Sequence, residues 1–205
     1  MLRKIVSGVA AGLLITIGGT VYLSCENRYV GAVLFSVALL CICMKGYTLF
    51  TGKIGYITEK HGKDEFSVLL LGLLGNAIGT ILGGWVIRYA LPVVGEAANA
   101  ICTVKLDQDP LVTIIRAVFC GILMYLAVSI YRDRKENIVG ILFCIPVFIL
   151  CGFEHSIADM FYFAASGMVS LKAFGFIWLV ILGNSIGAML LSAMTLYIMN
   201  RPSQS

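Results

Sequence analysis

Leu74-Gly75-Asn76-Ala77-Ile78-Gly79-Thr80-Ile81-Leu82 returns 108 residues later as Leu182-Gly183-Asn184-Ser185-Ile186-Gly187-Ala188-Met189-Leu190, with six of nine positions identical. Both copies lie inside long apolar runs. Gly-x-x-x-Gly alone is a common device for close packing of membrane helices. Here the asparagine beside the first glycine and the flanking leucines recur as well, which marks an internal duplication. Outward from these copies the chain resolves into six apolar stretches, roughly 5–25, 29–51, 66–91, 111–131, 138–165 and 174–199. Each is long enough to cross a bilayer with some tilt. The two copies fall in the third and sixth stretches, so the repeating unit holds three spans. Three is odd, so the two units enter the membrane in opposite senses, as an inverted-topology repeat. The expected fold is an all-α membrane protein, a single transmembrane domain over 1–205. Its first repeat covers about 5–91 and its second about 111–199.

Composition agrees with a lipid solvent. Of 205 residues, 60% are hydrophobic and 13% charged. An ordinary soluble domain carries about 45–50% apolar and about 25% charged residues. The net charge of +4 is scattered over the ends of the apolar stretches and forms no nucleic-acid footprint. The seven cysteines sit mostly in apolar runs and lack zinc-ligand spacing, so they read as small apolar side chains. Arg3 and Lys4 precede an apolar run too long for a signal-peptide core, and that run reads as a retained first span.

Lysine and arginine set the orientation. With the N-terminus inside, the inner segments hold Arg3, Lys4, Lys53, Lys60, Lys63, Arg132, Arg134, Lys135 and Arg201. The outer segments hold Arg28, Arg88, Lys105 and Lys172. Both termini are therefore expected in the cytoplasm, with the chain in the cytoplasmic (inner) membrane.

The second span of each half is interrupted. In the first half the break lies in Gly46-Tyr47-Thr48-Leu49-Phe50-Thr51-Gly52-Lys53-Ile54-Gly55-Tyr56; in the second it lies in Cys151-Gly152-Phe153-Glu154-His155-Ser156-Ile157-Ala158-Asp159-Met160, with Pro146 upstream. Helices broken at corresponding positions of two halves point to a binding site near the bilayer midplane. Glu154, His155 and Asp159 lie in that fifth stretch. An acid at a helix centre costs roughly 2.5–3.5 kcal/mol on insertion scales, so ionisable groups at this depth read as functional. Glu154 also admits a structural role, accepting amide hydrogens from the broken backbone. His155 can donate a hydrogen bond to an anion and exchange a proton near neutral pH. His61 lies in a charged loop, and Lys45 falls within the second apolar stretch with no partner evident in sequence. No metal spacing, nucleotide loop or nucleophile elbow is present, so neither metal nor cofactor is expected.

These residues resemble the formate–nitrite transporters. Leu49-Phe50-Thr51-Gly52 is similar to that family's break in the second span, Gly152-Phe153-Glu154-His155-Ser156-Ile157-Ala158 to its fifth-span signature, and Leu182-Gly183-Asn184-Ser185-Ile186-Gly187 to its sixth-span motif. The resemblance covers nearly the whole chain in order. It implies an aquaporin-like fold of six spans, without the Asn-Pro-Ala box of the water channels, assembled as a homopentamer with one pore per protomer. It implies that His155 is the central pore histidine, Glu154 the acid beside it, and Thr51 the threonine that faces it. Lys105 is then the outer lysine. Phe35, Leu39 and Phe148 match one apolar constriction, and Phe50 and Met124 the other. Asn76, Asn184 and Asp159 support the site. The chain departs from the family at Gly121, which takes the place of a common asparagine in span four, and at Asp159, where the family has asparagine. It also lacks most of the usual N-terminal extension and the long fifth-to-sixth connection.

The function implied is a channel for small monovalent anions, formate or nitrite, with or without an accompanying proton. Hydrosulfide or short-chain carboxylates fit the same site. From another class, a membrane-embedded enzyme would use Glu154 and His155 as acid and base, but it lacks a third catalytic group. The faces around Gly75, Gly79, Gly183 and Gly187 are available to pack protomers together or to pack helices within one protomer.

Overall fold

Glycine decides how the long helices meet. In the computed structural model, which describes residues 1–133 and 137–199, α1 (Leu2–Ser24) lies along a later helix (Lys63–Ala90) at backbone distance. A Cβ on Gly75 would run into the Ile5 carbonyl and Gly8, and one on Gly79 into the Val9 carbonyl. The same arrangement recurs between Pro110–Asp133 and Leu171–Met199, where Gly183 rests on Ala117 and Gly187 on the Val118 carbonyl. These small-residue faces are thus used inside the protomer, and they are not free to join one protomer to another. Gly121 belongs to this contact too, because a side chain there would collide with the Asn184 backbone.

Between these pairs the chain breaks where the sequence is rich in glycine. α2 (Arg28–Lys45) starts at Asn27, whose side chain accepts the Tyr29 and Val30 amides, and it ends at Gly46 in the left-handed region with φ 67°. Lys45 is its last residue and is exposed, so it needs no buried partner. A short helix α3 (Phe50–Lys53) and a 3₁₀ turn (Ile54–Thr58) follow, then α4 (Lys63–Ala90). After α6 (Pro110–Asp133), α7 (Val139–Leu150) retains Pro146 inside it and stops before Gly152, also left-handed at φ 68°. α8 (Ser156–Ser166) resumes after an extended segment and is closed by Gly167, before α9 (Leu171–Met199).

One helix lies between the third and fourth apolar stretches. α5 (Pro92–Leu106) begins on Pro92, which suits a first helical turn, and buries Val94, Ala98 and Cys102 at helical spacing. Its exposed Glu96 and its Asn99 mask that stripe in the sequence. Among the described residues, five helices (α1, α2, α4, α6 and α9) are long and apolar enough to cross a membrane, and α7 is a shorter apolar helix. The fifth apolar stretch is divided into α7 and α8. Arg134, Lys135, Arg201 and the polar tail from Asn200 lie outside the described residues.

Candidate functional site

A helix that breaks in an apolar interior exposes amides and carbonyls that need partners. Two asparagines supply them. Asn184 of α9 donates from Nδ2 to the Glu154 carbonyl (2.8 Å) and the Ala117 carbonyl (2.9 Å), and its Oδ1 accepts from the Ser156 amide (2.9 Å). Asn76 of α4 donates to the Thr48 carbonyl (2.8 Å) and the Gly8 carbonyl (2.8 Å), and accepts from the Phe50 amide (2.9 Å). The two clamps are the same device built twice. Both asparagines are fully buried. The break is therefore held by Asn184 and not by the Glu154 carboxylate, which corrects the structural role the sequence allows for Glu154.

Each clamp presents the residue between its two bonded neighbours. In the first half this residue is Leu49, extended at φ −101°; in the second it is His155, extended at φ −114°. His155 caps α8. Its Nδ1 accepts from the Ala158 amide at 3.1 Å, so Nδ1 carries no hydrogen and the ring proton sits on Nε2. That Nε2–H points to Thr51 Oγ1, 2.8 Å away on α3. Thr51 therefore accepts from the histidine and keeps its own hydroxyl hydrogen to offer elsewhere. Both side chains are buried, at 2% and 1% exposure.

The site is apolar around this donor pair. Phe148 of α7 stacks on His155 with centroids 5.5 Å apart, and Phe35 of α2 meets Phe148 edge-on at 6.2 Å. Leu39, Phe50 and Met124 are buried in the same hydrophobic cluster. On the α3 side of this cluster a cavity of about 650 Å³ opens among α2, α3, the 3₁₀ turn, α4 and α6. Leu39, Leu49 and Leu69 contribute apolar lining, while Lys53, Lys60, Glu59 and Arg132 contribute charge. Arg132 sits 3.9 Å over the Tyr56 ring and 3.4 Å from Glu59.

On the α5 side lies a buried ionic cluster. Lys105 Nζ donates to Glu154 Oε2 and lies 2.9 Å from Asp159 Oδ1. Glu154 also approaches Gln108 Nε2 at 3.4 Å, and Gln108 accepts from Arg116. Lys105, which the resemblance makes the outer lysine, is held by two carboxylates.

The structure brings Thr51, Glu154, His155, Lys105 and Asp159 into one region, with Phe35 and Phe148 packed at its side. Asn76 and Asn184 act on backbone. Gln108, Arg132, Tyr56 and the cavity were not anticipated. Gln108 is a polar residue in a polar segment and carries no sequence signal. The pairing of Lys105 with Asp159 had one: a buried acid requires a cation, and Lys105 was available.

Comparison with known proteins gives consistent matches. The family model described as "Formate/nitrite transporter" matches residues 1–198. The nitrite transporter NirC of Escherichia coli (strain K12) is 28% identical over 172 residues, covering 78% of this chain and 63% of that protein. A formate-nitrite transporter of Plasmodium ovale is 25% identical over 98% of this chain and 75% of its own length. The chain thus spans less than two thirds of the length of NirC. Among solved structures, an FNT family ion channel superimposes with a TM-score of 0.78 at 23% identity, covering 98% of this chain and 89% of that one. A pentameric formate channel with formate bound gives 0.79 at 20% identity, covering 97% and 96%. The fold is shared with both.

Proposed function

Because this chain belongs to the formate/nitrite transporter family, and is a multi-pass membrane protein, we propose that it passes small monovalent anions, formate or nitrite, through the protomer along a path that runs by His155. One observation carries the reading: a fixed Nε2–H···Oγ1 pair, His155 to Thr51, buried within an apolar shell between two broken helices. A bare anion is poorly solvated between apolar side chains. The Thr51 hydroxyl hydrogen, left free because Thr51 accepts from His155 Nε2–H, is the donor it meets there, and it replaces part of the lost hydration. Phe35, Leu39 and Phe148 form one constriction on this path, and Phe50 and Met124 the other. The cavity beside α3, lined by Lys53, Lys60 and Arg132 together with Glu59, Asp64 and Glu65, is the inner vestibule.

Equivalent clamps at Asn76 and Asn184 support two repeats inserted in opposite senses, six crossings in which α2 with α3, and α7 with α8, each complete one. The solved relative named as a pentamer supports a homopentamer of such protomers. Lysine and arginine asymmetry supports an inner-membrane protein with both termini cytoplasmic. An acid–base enzyme at Glu154 and His155 has no support in a family named for transport, and Glu154 is occupied by Lys105.

The test is uptake by proteoliposomes. Formate and nitrite are expected to enter vesicles containing the protein far faster than empty vesicles, with no chemical product. Equal rates in both vesicle types, with protein shown to be inserted, would remove the proposal.

A further inference from the structure

The two asparagine clamps set the halves in register, and that register pairs Lys53 with Asp159. Asn76 bonds the Thr48 carbonyl and the Phe50 amide, and Asn184 bonds the Glu154 carbonyl and the Ser156 amide. Five residues beyond Thr48, on α3, stands Lys53; five beyond Glu154, on α8, stands Asp159. Equivalent positions on the two short helices therefore carry opposite charge.

Their surroundings differ as well. On the α5 side the charges cancel. Lys105 pairs with Glu154 and with Asp159 (2.9 Å), and Arg116 joins the same group through Gln108, which lies 3.4 Å from Glu154 Oε1. Two cations thus stand with two carboxylates. On the α3 side Lys53 is half-buried and forms no ion pair among the described residues. It lines the cavity of about 650 Å³ with Leu49 and Gly52, and the Cys43 thiol of α2 faces it. Of the acids in that lining, Glu59 pairs with Arg132, and the exposed Asp64 pairs with Lys4. Glu65 and the exposed Lys60 offset each other in charge. Thr51, bonded to His155 at 2.8 Å, sits on the same four-residue helix as Lys53.

A half-buried ammonium without a carboxylate is costly unless a counter-ion or water meets it. It is also a compact point charge on a flexible stem, able to hold a small anion without a fixed geometry. We propose that Lys53 is the docking residue for the anion on the α3 side and gives the path a sidedness: formate half-saturates it at a lower concentration from the α3 side than from the α5 side. This rests on the transport reading above. In a passive path the ratio of maximal rate to half-saturation is equal from both sides. Tighter docking on one side therefore lowers the maximal rate from that side in step, and the gradient alone still sets the direction of net flux.

The experiment measures initial rates of formate uptake, at zero membrane potential, in right-side-out and inverted membrane vesicles. A C-terminal reporter marks the α3 side, because Thr58 of the 3₁₀ turn is bonded to Ser192 near the end of α9 (2.7 Å). Wild type is expected to half-saturate about fivefold lower from the α3 side, the effect of one unit charge at about 4 Å in wet surroundings. Lys53→Met keeps an apolar stem, removes the charge and should bring the two values together, whereas Lys53→Arg should keep them apart. Wild type that half-saturates equally from both sides overturns the proposal, a result independent of whether a variant folds. So does an assembled Lys53→Met protein that keeps the wild-type ratio. Uptake no faster than in vesicles lacking the protein would defeat the transport reading itself, a failure distinct from a ratio near one.

Discussion

His155 has two ring nitrogens and two different tasks. Nδ1 caps α8 through the Ala158 amide, and Nε2–H engages Thr51. A proton on Nδ1 and the cap exclude each other, so any proton exchange at this ring is coupled to the start of α8. Substitutions should separate the tasks. His155→Asn keeps a capping oxygen and a donor, so its melting temperature in detergent should stay near that of wild type, and part of the formate flux should remain. His155→Phe keeps the stack on Phe148 but loses the cap, at about 0.5–2 kcal/mol, and loses the donor. Its formate flux should fall on the order of tenfold or more, the scale set by one donor at a water-poor site. Wild-type flux through a folded His155→Phe protein would return the histidine to a packing role. Thr51 gives an independent check. Thr51→Ser retains the hydroxyl and should retain flux, whereas Thr51→Val retains the shape and should lose most of it.

At the scale of elements, two broken helices are held by two asparagines through matching bonds. Removing one amide leaves a backbone N–H and one carbonyl at the break buried without partners, Phe50 and Thr48 in the first half and Ser156 and Glu154 in the second, each costing about 1–3 kcal/mol. Asn184→Ala and Asn76→Ala should therefore each destabilise the protein by several kcal/mol, read as comparable falls in melting temperature. Function should distinguish them. Asn184 holds the residues on either side of His155, and Asn76 those on either side of Leu49. Of the protein that still folds, Asn184→Ala should lose more flux per molecule than Asn76→Ala. Equal losses would mean that the second clamp does not position the histidine. α5 matters at this scale as well, because it carries Lys105 to the start of α8.

For the whole molecule, each long helix buries only 39% of its most apolar window within the protomer. The rest is left for lipid or for neighbouring copies. The glycine faces are already filled by α1 against α4 and α6 against α9, so a pentamer has to form through larger side chains. Native mass spectrometry in mild detergent should show five copies; only monomers and dimers would remove the assembly. Topology is tested separately. A reporter at the C-terminus should read cytoplasmic, and an epitope inserted after Met168, between α8 and α9, should read outside. The same side for both would remove the odd-numbered repeat.

The duplicated Leu-Gly-Asn segment, the apolar stretches and the two breaks were legible because they depend on local properties: hydropathy, glycine and a recurring motif. Glu154, His155 and Asp159 were legible as a group because charge in an apolar stretch is conspicuous at any fold. What Asn76 and Asn184 do was not. Their partners lie up to 68 residues away in the chain, and a side-chain amide shows nothing in sequence about which backbone groups it will satisfy. Nor was the fate of Lys105, which is held by two acids at the start of another helix. Nor was the burial of α5, whose apolar stripe is diluted by polar neighbours. Residue type sets what a group is able to bond with, whereas packing of distant segments sets which partner reaches it first, and that choice turned a surface-like lysine into the centre of a buried cluster.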